Sequence, residues 1–150
     1  MAGKIFSSVI FIRLMVGAVF LSEGIQKFIY PNELGAGRFF KIGLPWPGFF
    51  GYFVPVFEIT CGALILLGLF TRHASIPLII IILTAIISTK IPFLMNEGFW
   101  KMAHEARTDW SMLLGLIFLL IAGSGKFSLD NILSKTHQKL SKGVRNYERD

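Results

Sequence analysis

Long apolar runs, broken by short polar stretches, organise this chain. Four runs stand out, over about Ile5–Ile29, Pro47–Phe70, Ala74–Thr89 and Asp109–Ser124. A membrane-spanning helix needs ~20 mostly apolar residues. The first two runs meet that length. The last two are short and require neighbouring residues at their ends, or local bilayer thinning. Buried helices of soluble cores are usually shorter and amphipathic, yet "IPLIIIILTAIIS" and "MLLGLIFLLIAG" have no polar face. The pattern predicts an all-α, integral membrane four-helix bundle over residues 1–130. A basic, polar tail follows over residues 131–150. The first run reads as a retained helix, because Arg13 splits its apolar region and no small-x-small cleavage site follows.

The connections differ in kind. "TRH" makes a tight turn between the second and third runs. The other two, about Tyr30–Trp46 and Lys90–Thr108, are longer and still apolar. They read as loops lying in the interface or folding back over the bundle. Pro45, Pro47 and Gly48 mark a turn opening the second helix. The aromatics from Phe39 to Phe53 suit an interfacial belt or the walls of an apolar pocket.

Charge adds orientation. The net charge is +6, from 15 Lys and Arg against 9 Asp and Glu. In a chain built of apolar blocks, this excess serves topology and anionic lipid, not nucleic acid. With four spans, Lys4, Arg72, Lys126 and the tail cations share one side. Arg38, Lys41, Lys101 and Arg107 lie on the other, with Lys27 and Lys90 at its border. The first set is larger, so both termini are expected in the cytoplasm. Cys61 is the one cysteine, which rules out an intrachain disulfide and a thiol relay run by this chain alone.

Several charges fall inside the runs, where they are costly and often mark function. At ~1.5 Å per residue, Arg13 lies roughly 12 Å in from Ile5 and Glu58 roughly 18 Å in from Phe70. Those depths predict an Arg13–Glu58 pair near mid-membrane. Arg13, Phe20 and Lys27 share one heptad stripe with Gly17 and Gly24. Glu23 and Lys27 are i,i+4 neighbours at the outer end, where Lys90, His104, Glu105, Arg107 and Asp109 also gather. The bland readings are that Arg13 and Glu58 lock helix order, and that Glu23 and Lys27 reach the interface.

Familiar cofactor motifs fail. "GSGKFS" would need Gly at Leu120 and Ser or Thr at Phe127 to be a phosphate loop. "HEART" lacks the second histidine of a zinc-protease helix. His73, His104 and His137 are scattered, which argues against metal, haem and iron–sulfur ligation. Redox chemistry would need a bound organic molecule or a partner to carry the electrons.

The stretches "RLMVGAVFLSEGIQKF", "KIGLPWPGFFGYFVPVFEITCGALILLGLFTR" and "GSGKFSLD" occur in order. They resemble the first helix, the Gly-Leu-Pro turn with its Glu-bearing second helix, and the closing signature of the DoxX family. The resemblance covers about residues 8–130. The third helix matches in hydropathy alone, and Asp109 stands where the family more often has Glu. The resemblance implies a four-helix protein of a bacterial inner membrane. Some family members are small subunits of thiosulfate:quinone oxidoreductase. Others are linked to complexes that handle oxidative and thiol stress with soluble redox enzymes.

Three functions follow. The first is a quinone-interacting subunit with an apolar cavity lined by Phe20, Phe53 and Trp110 and polarised by Arg13, Lys27, Glu58 and Asp109. Arg or Lys would hold the quinone carbonyls, and Glu58 would pass protons. The second is a small-solute or proton-coupled transporter acting as a homo-oligomer. The third is a scaffold without catalysis, whose charges only specify packing.

Overall fold

The computed structural model describes residues 2–136, with side chains from Ser8 onward. Every element in it is helical. α1 covers Ala2–Ile29, α2 Ala36–Lys41, α3 Pro47–Leu67, α4 Thr71–Ala85, α5 Ile91–Glu97 and α6 Phe99–Ala122. Residues 129–136 form a further helical stretch. The expected tail lies outside the described residues from residue 137 on.

Local chemistry sets the boundaries. Pro31 follows the end of α1 and disfavours helix in the residue before it. Glycines close α2 and α3 in the same way. Leu44 N–H donates to Phe39 O and Gly43 N–H to Phe40 O. Leu69 N–H donates to Leu64 O and Gly68 N–H to Ile65 O. Gly43 (φ 74°) and Gly68 (φ 69°) take the left-handed conformation that this paired cap requires. Pro47 stands in the first turn of α3, where its missing N–H costs nothing.

Two sequence expectations need correction. The third run does not stop near Thr89. α4 continues through a π turn, Ile86–Lys90, into α5, giving an apolar helical span over Thr71–Glu97. Pro92 explains the π turn, because its ring displaces the carbonyl four residues back and the wider turn absorbs the mismatch. The segment Lys90–Thr108 is likewise not a loop. It supplies α5 and the start of α6, ten residues before Asp109. Good helix formers in "KMAHEA" and a Glu97–Lys101 ion pair at 2.6 Å favour helix there.

α1 and α3 pack antiparallel and extensively, and α4 and α6 form a second antiparallel pair joined to them. The core runs through Val16 and Phe20, Cys61 and Ile65, Leu78 and Ile82, and Leu113, Leu116 and Leu119. The outer surface is apolar too: Phe11, Ile80, Leu114 and Ile121 are all more than 60% exposed. A water-soluble monomer rarely exposes so much contiguous apolar surface, so the surroundings of this bundle are hydrocarbon. Among the described residues, Ser8–Ile29, Pro47–Leu67 and Thr71–Glu97 are long and apolar enough to cross a membrane. α6 completes the bundle but carries Lys101, Glu105, Arg107 and Asp109 in its first half. Its apolar stretch from Trp110 to Ala122 is roughly 20 Å long at ~1.5 Å per residue.

The α1–α3 contact depends on small residues. A Cβ on Gly62 would stand 2.8 Å from the Leu21 backbone nitrogen, and one on Gly24 2.9 Å from the Pro55 carbonyl oxygen. These are backbone atoms and cannot move aside. Without a hydrophobic driving force between helices in lipid, such close approach supplies the packing energy. Gly62→Ala should therefore destabilise the protein by about 1–3 kcal/mol through overpacking. Gly48→Ala, where a Cβ meets nothing within 4 Å, should change little. Thermal unfolding in detergent compares the two.

Candidate functional site

The charged residues of α1 and α3 form two separate groups, one at each end of the pair. At the end that carries the α3–α4 turn, Arg13 is 3% exposed and, among the described residues, its guanidinium donates only to backbone carbonyls. Nε donates to Ile65 O at 2.9 Å and one terminal nitrogen to Leu66 O at 2.7 Å. The other donates to Ser124 O at 3.0 Å and also to Phe127 O. The first two are among the last carbonyls of α3, which have no partner inside the helix and sit at its negative end. The planar five-donor fork of Arg suits this role. Gly68 makes room for it: a Cβ there would lie 2.5 Å from the Arg13 guanidinium carbon.

The stretch "GSGKFSLD" completes this end. Asp130 Oδ1 accepts from the Phe70 N–H at 3.2 Å, and the Asp130 N–H donates to Gly68 O at 3.2 Å. Ser128 Oγ accepts from the Asn131 N–H and so caps the helical stretch over residues 129–136. Arg72 lies across Gly123 and donates to Ile121 O at 2.9 Å. One cationic side chain thus joins α1, the end of α3 and the segment after α6.

At the opposite end, Lys27 Nζ donates to both carboxylate oxygens of Glu58, at 2.8 and 2.7 Å. Glu23 stands 3.6 Å from the same ammonium. The side chains of Glu58, Lys27 and Glu23 are 4%, 11% and 49% exposed. They form a carboxylate–ammonium–carboxylate string leading from the α1–α3 interface to the surface. Gly24, whose missing side chain would lie 3.0 Å from Glu58 Cβ, lets the Glu58 stem approach α1. Lys90 and Asp109 pair separately at 3.3 Å, tying the π turn to α6.

The expected Arg13–Glu58 pair does not form. Gly17 packs against Gly62 and Leu66, and this register sets Arg13 opposite Ile65–Gly68. Ile65 is roughly 10 Å along α3 from Glu58. Glu58 takes Lys27 in place of Arg13, and Asp109 takes Lys90 in place of a charge on α1. Nor do the three expected aromatic residues close one interior cavity. Phe20 is buried in the core, whereas Phe53 and Trp110 are 44% and 47% exposed and face outward. Phe53 belongs to a ladder on α3, with ring centroids 5.1 Å from Phe49 and 4.7 Å from Phe57. The Arg13 clamp escaped sequence reasoning because its acceptors are backbone carbonyls, which carry no residue signature. Gly68 and the Gly-rich "GSG" were its only traces.

The DoxX family model matches residues 8–91, a stretch that includes Arg13, the Lys27–Glu58 pair and the α3–α4 turn. The chain belongs to the DoxX family. An uncharacterized membrane protein of Mycobacterium tuberculosis (strain ATCC 25618 / H37Rv) is 60% identical over 134 residues, covering 85% of this chain and 82% of that relative. No solved structure matches. This DoxX protein is therefore a membrane protein whose α1–α3 pair carries a polar group at each end, and of those two the Glu58 end presents titratable side chains to one another.

Removing Lys27 alone (Lys27→Met) should cost about 3–5 kcal/mol, because Glu58 is left buried and unpaired. The double variant Lys27→Met/Glu58→Leu should recover much of that loss. Arg13→Gln and Glu58→Gln should instead add independently, since the two residues share no partner. Melting temperatures in detergent for the single and double variants test both statements.

Proposed function

We propose that this DoxX protein is a small quinone-interacting subunit of a membrane redox complex working in sulfur, thiol or oxidative-stress chemistry. The observation that carries this reading is the Glu58–Lys27–Glu23 string. A buried carboxylate held by one ammonium, with a second carboxylate at the surface, is a route by which a proton can reach an apolar site. Because Phe20 is buried in the core while Phe53 and Trp110 face outward, the quinone ring is assigned to the lipid-facing surface. There the Phe49–Phe53–Phe57 ladder lies along the helix that bears Glu58, and a flat ring would stack on it. The electrons come from a soluble redox enzyme.

A scaffold role is the second reading, favoured by Arg13, whose guanidinium makes four hydrogen bonds to carbonyls. Titration of the reconstituted protein with a menaquinone or ubiquinone analogue separates the two. The quinone reading expects micromolar binding, about −8 kcal/mol. Glu58→Gln should then alter the proton dependence of quinone reduction more than the binding, since Gln keeps hydrogen bonds but cannot ionise. Binding no tighter than millimolar leaves the scaffold.

The proposal also places the protein in the bacterial inner membrane with both termini cytoplasmic, on the Lys and Arg distribution. Reporter fusions after Lys41, Arg72 and Lys101 should report outside, inside and outside. The reverse order would overturn that orientation.

A further inference from the structure

A cleft of about 550 Å³ opens beside the α3–α4 turn, on the far side of the bundle from Glu58. Its lining includes Thr71, Arg72 and His73 from the first turn of α4, and Gly123, Gly125 and Lys126 from the segment after α6. Three features of this cleft converge. The first is the start of α4, a 15-residue helix with no acidic residue in its first turn and no side-chain cap. The N–H groups of that turn have no carbonyl of a preceding turn to bond, and they carry the positive end of the helix dipole. The second is charge. Arg72, Lys126 and His73 surround the opening, and all three are exposed. Asp130 is the one acidic residue in the lining, and its carboxylate already accepts from the Phe70 N–H.

The third feature is independent of the helix end. Thr71 is 1% exposed, and its hydroxyl is the one buried side-chain polar atom without a hydrogen-bond partner among the described residues. A buried hydroxyl left unpaired is destabilising. Because Thr71 also lines the cleft, an anionic oxygen seated over the first turn of α4 would supply that acceptor. Gly123 (φ 77°) and Gly125 (φ 72°) bring backbone across the cleft without side chains. "GSGKFS" fails as a nucleotide phosphate loop by spacing, yet the fold sets it against a helix N-terminus, the arrangement that binds phosphate elsewhere.

We infer that this cleft binds a phosphate group, held by the start of α4, Thr71, Arg72, His73 and Lys126. Two sources share that chemistry: the headgroup of an anionic phospholipid and free inorganic phosphate. The inference does not rest on the quinone reading, because the two sites share no residue.

The test is thermal unfolding of the purified full chain in a neutral detergent, titrated with inorganic phosphate, with phosphatidylglycerol, or with phosphatidylcholine as control. A ligand that binds only the folded state raises the midpoint with concentration. A rise with phosphatidylglycerol alone assigns the site to a lipid headgroup. A rise with inorganic phosphate assigns it to the phosphate group from either source. Thr71→Val should leave the ligand-free midpoint unchanged or higher, since its hydroxyl has no protein partner to lose. It should also weaken binding about tenfold, the loss of one hydrogen bond to a charged group. His73→Gln/Lys126→Gln, at exposed positions, should reduce binding at least as much while the protein stays folded. The inference is overturned if neither phosphate nor phosphatidylglycerol raises the midpoint. A rise of undiminished size in His73→Gln/Lys126→Gln overturns it equally.

Discussion

No polar group of a chain in hydrocarbon can fall back on water, so each must find its partner within the protein. That constraint acts most strongly on Arg13, and the architecture is arranged around its solution. The guanidinium spends its donors on the end of α3 and on the segment after α6. Leu66 O has no partner inside α3, and Ile65 O accepts from both the Gly68 N–H and Arg13 Nε. One residue thereby removes two difficulties, a buried cation and an open helix-end acceptor. It does so only because Gly68 has no side chain and takes a left-handed conformation.

The other end meets the same constraint differently. Glu58 is paired side chain to side chain with Lys27, and Lys27 in turn reaches Glu23. A guanidinium that is permanently charged and held by four carbonyl hydrogen bonds acts as a structural clamp. A carboxylate paired with an ammonium can change protonation state. The contrast separates a charge that builds the fold from charges able to take part in chemistry, although residue type and depth alone make them look alike.

The sequence made the helical membrane class legible, because hydropathy reports surroundings directly and the structure surrounds these helices with apolar surface. It also made the polar residues of the spans legible as a set. Their partners were not. Depth counted from the apparent ends of a run is uncertain by a turn or more. In that count Arg13 and Glu58 came out within the reach of an arginine side chain, whereas the packing of Gly17 on Gly62 and Leu66 sets them apart. Hydropathy also ended the third run too early, since a π turn just before Pro92 lets the helix continue past it. The polar first half of α6 read as a loop because lipid exposure and helix formation are separate properties. Charges at its start place it near the interface but do not oppose helix.

The same packing explains how a bundle with little directional contact holds a single register. Helices that attract one another mainly through close approach can slide by one turn, about 5.4 Å, at modest cost if their surfaces are uniform. Here a slip of α1 along α3 would move Gly17 and Gly24 away from Gly62 and Pro55, driving side chains into backbone. The same slip would pull Arg13 off the last carbonyls of α3 and Lys27 off Glu58. Polar contacts at both ends and small residues between them fail together. The register is therefore specified three times over by groups whose alternative is an unpaired charge in hydrocarbon. This makes the ion pair at Glu58 part of a rigid frame, held in one geometry by the clamp at the other end of the same helix.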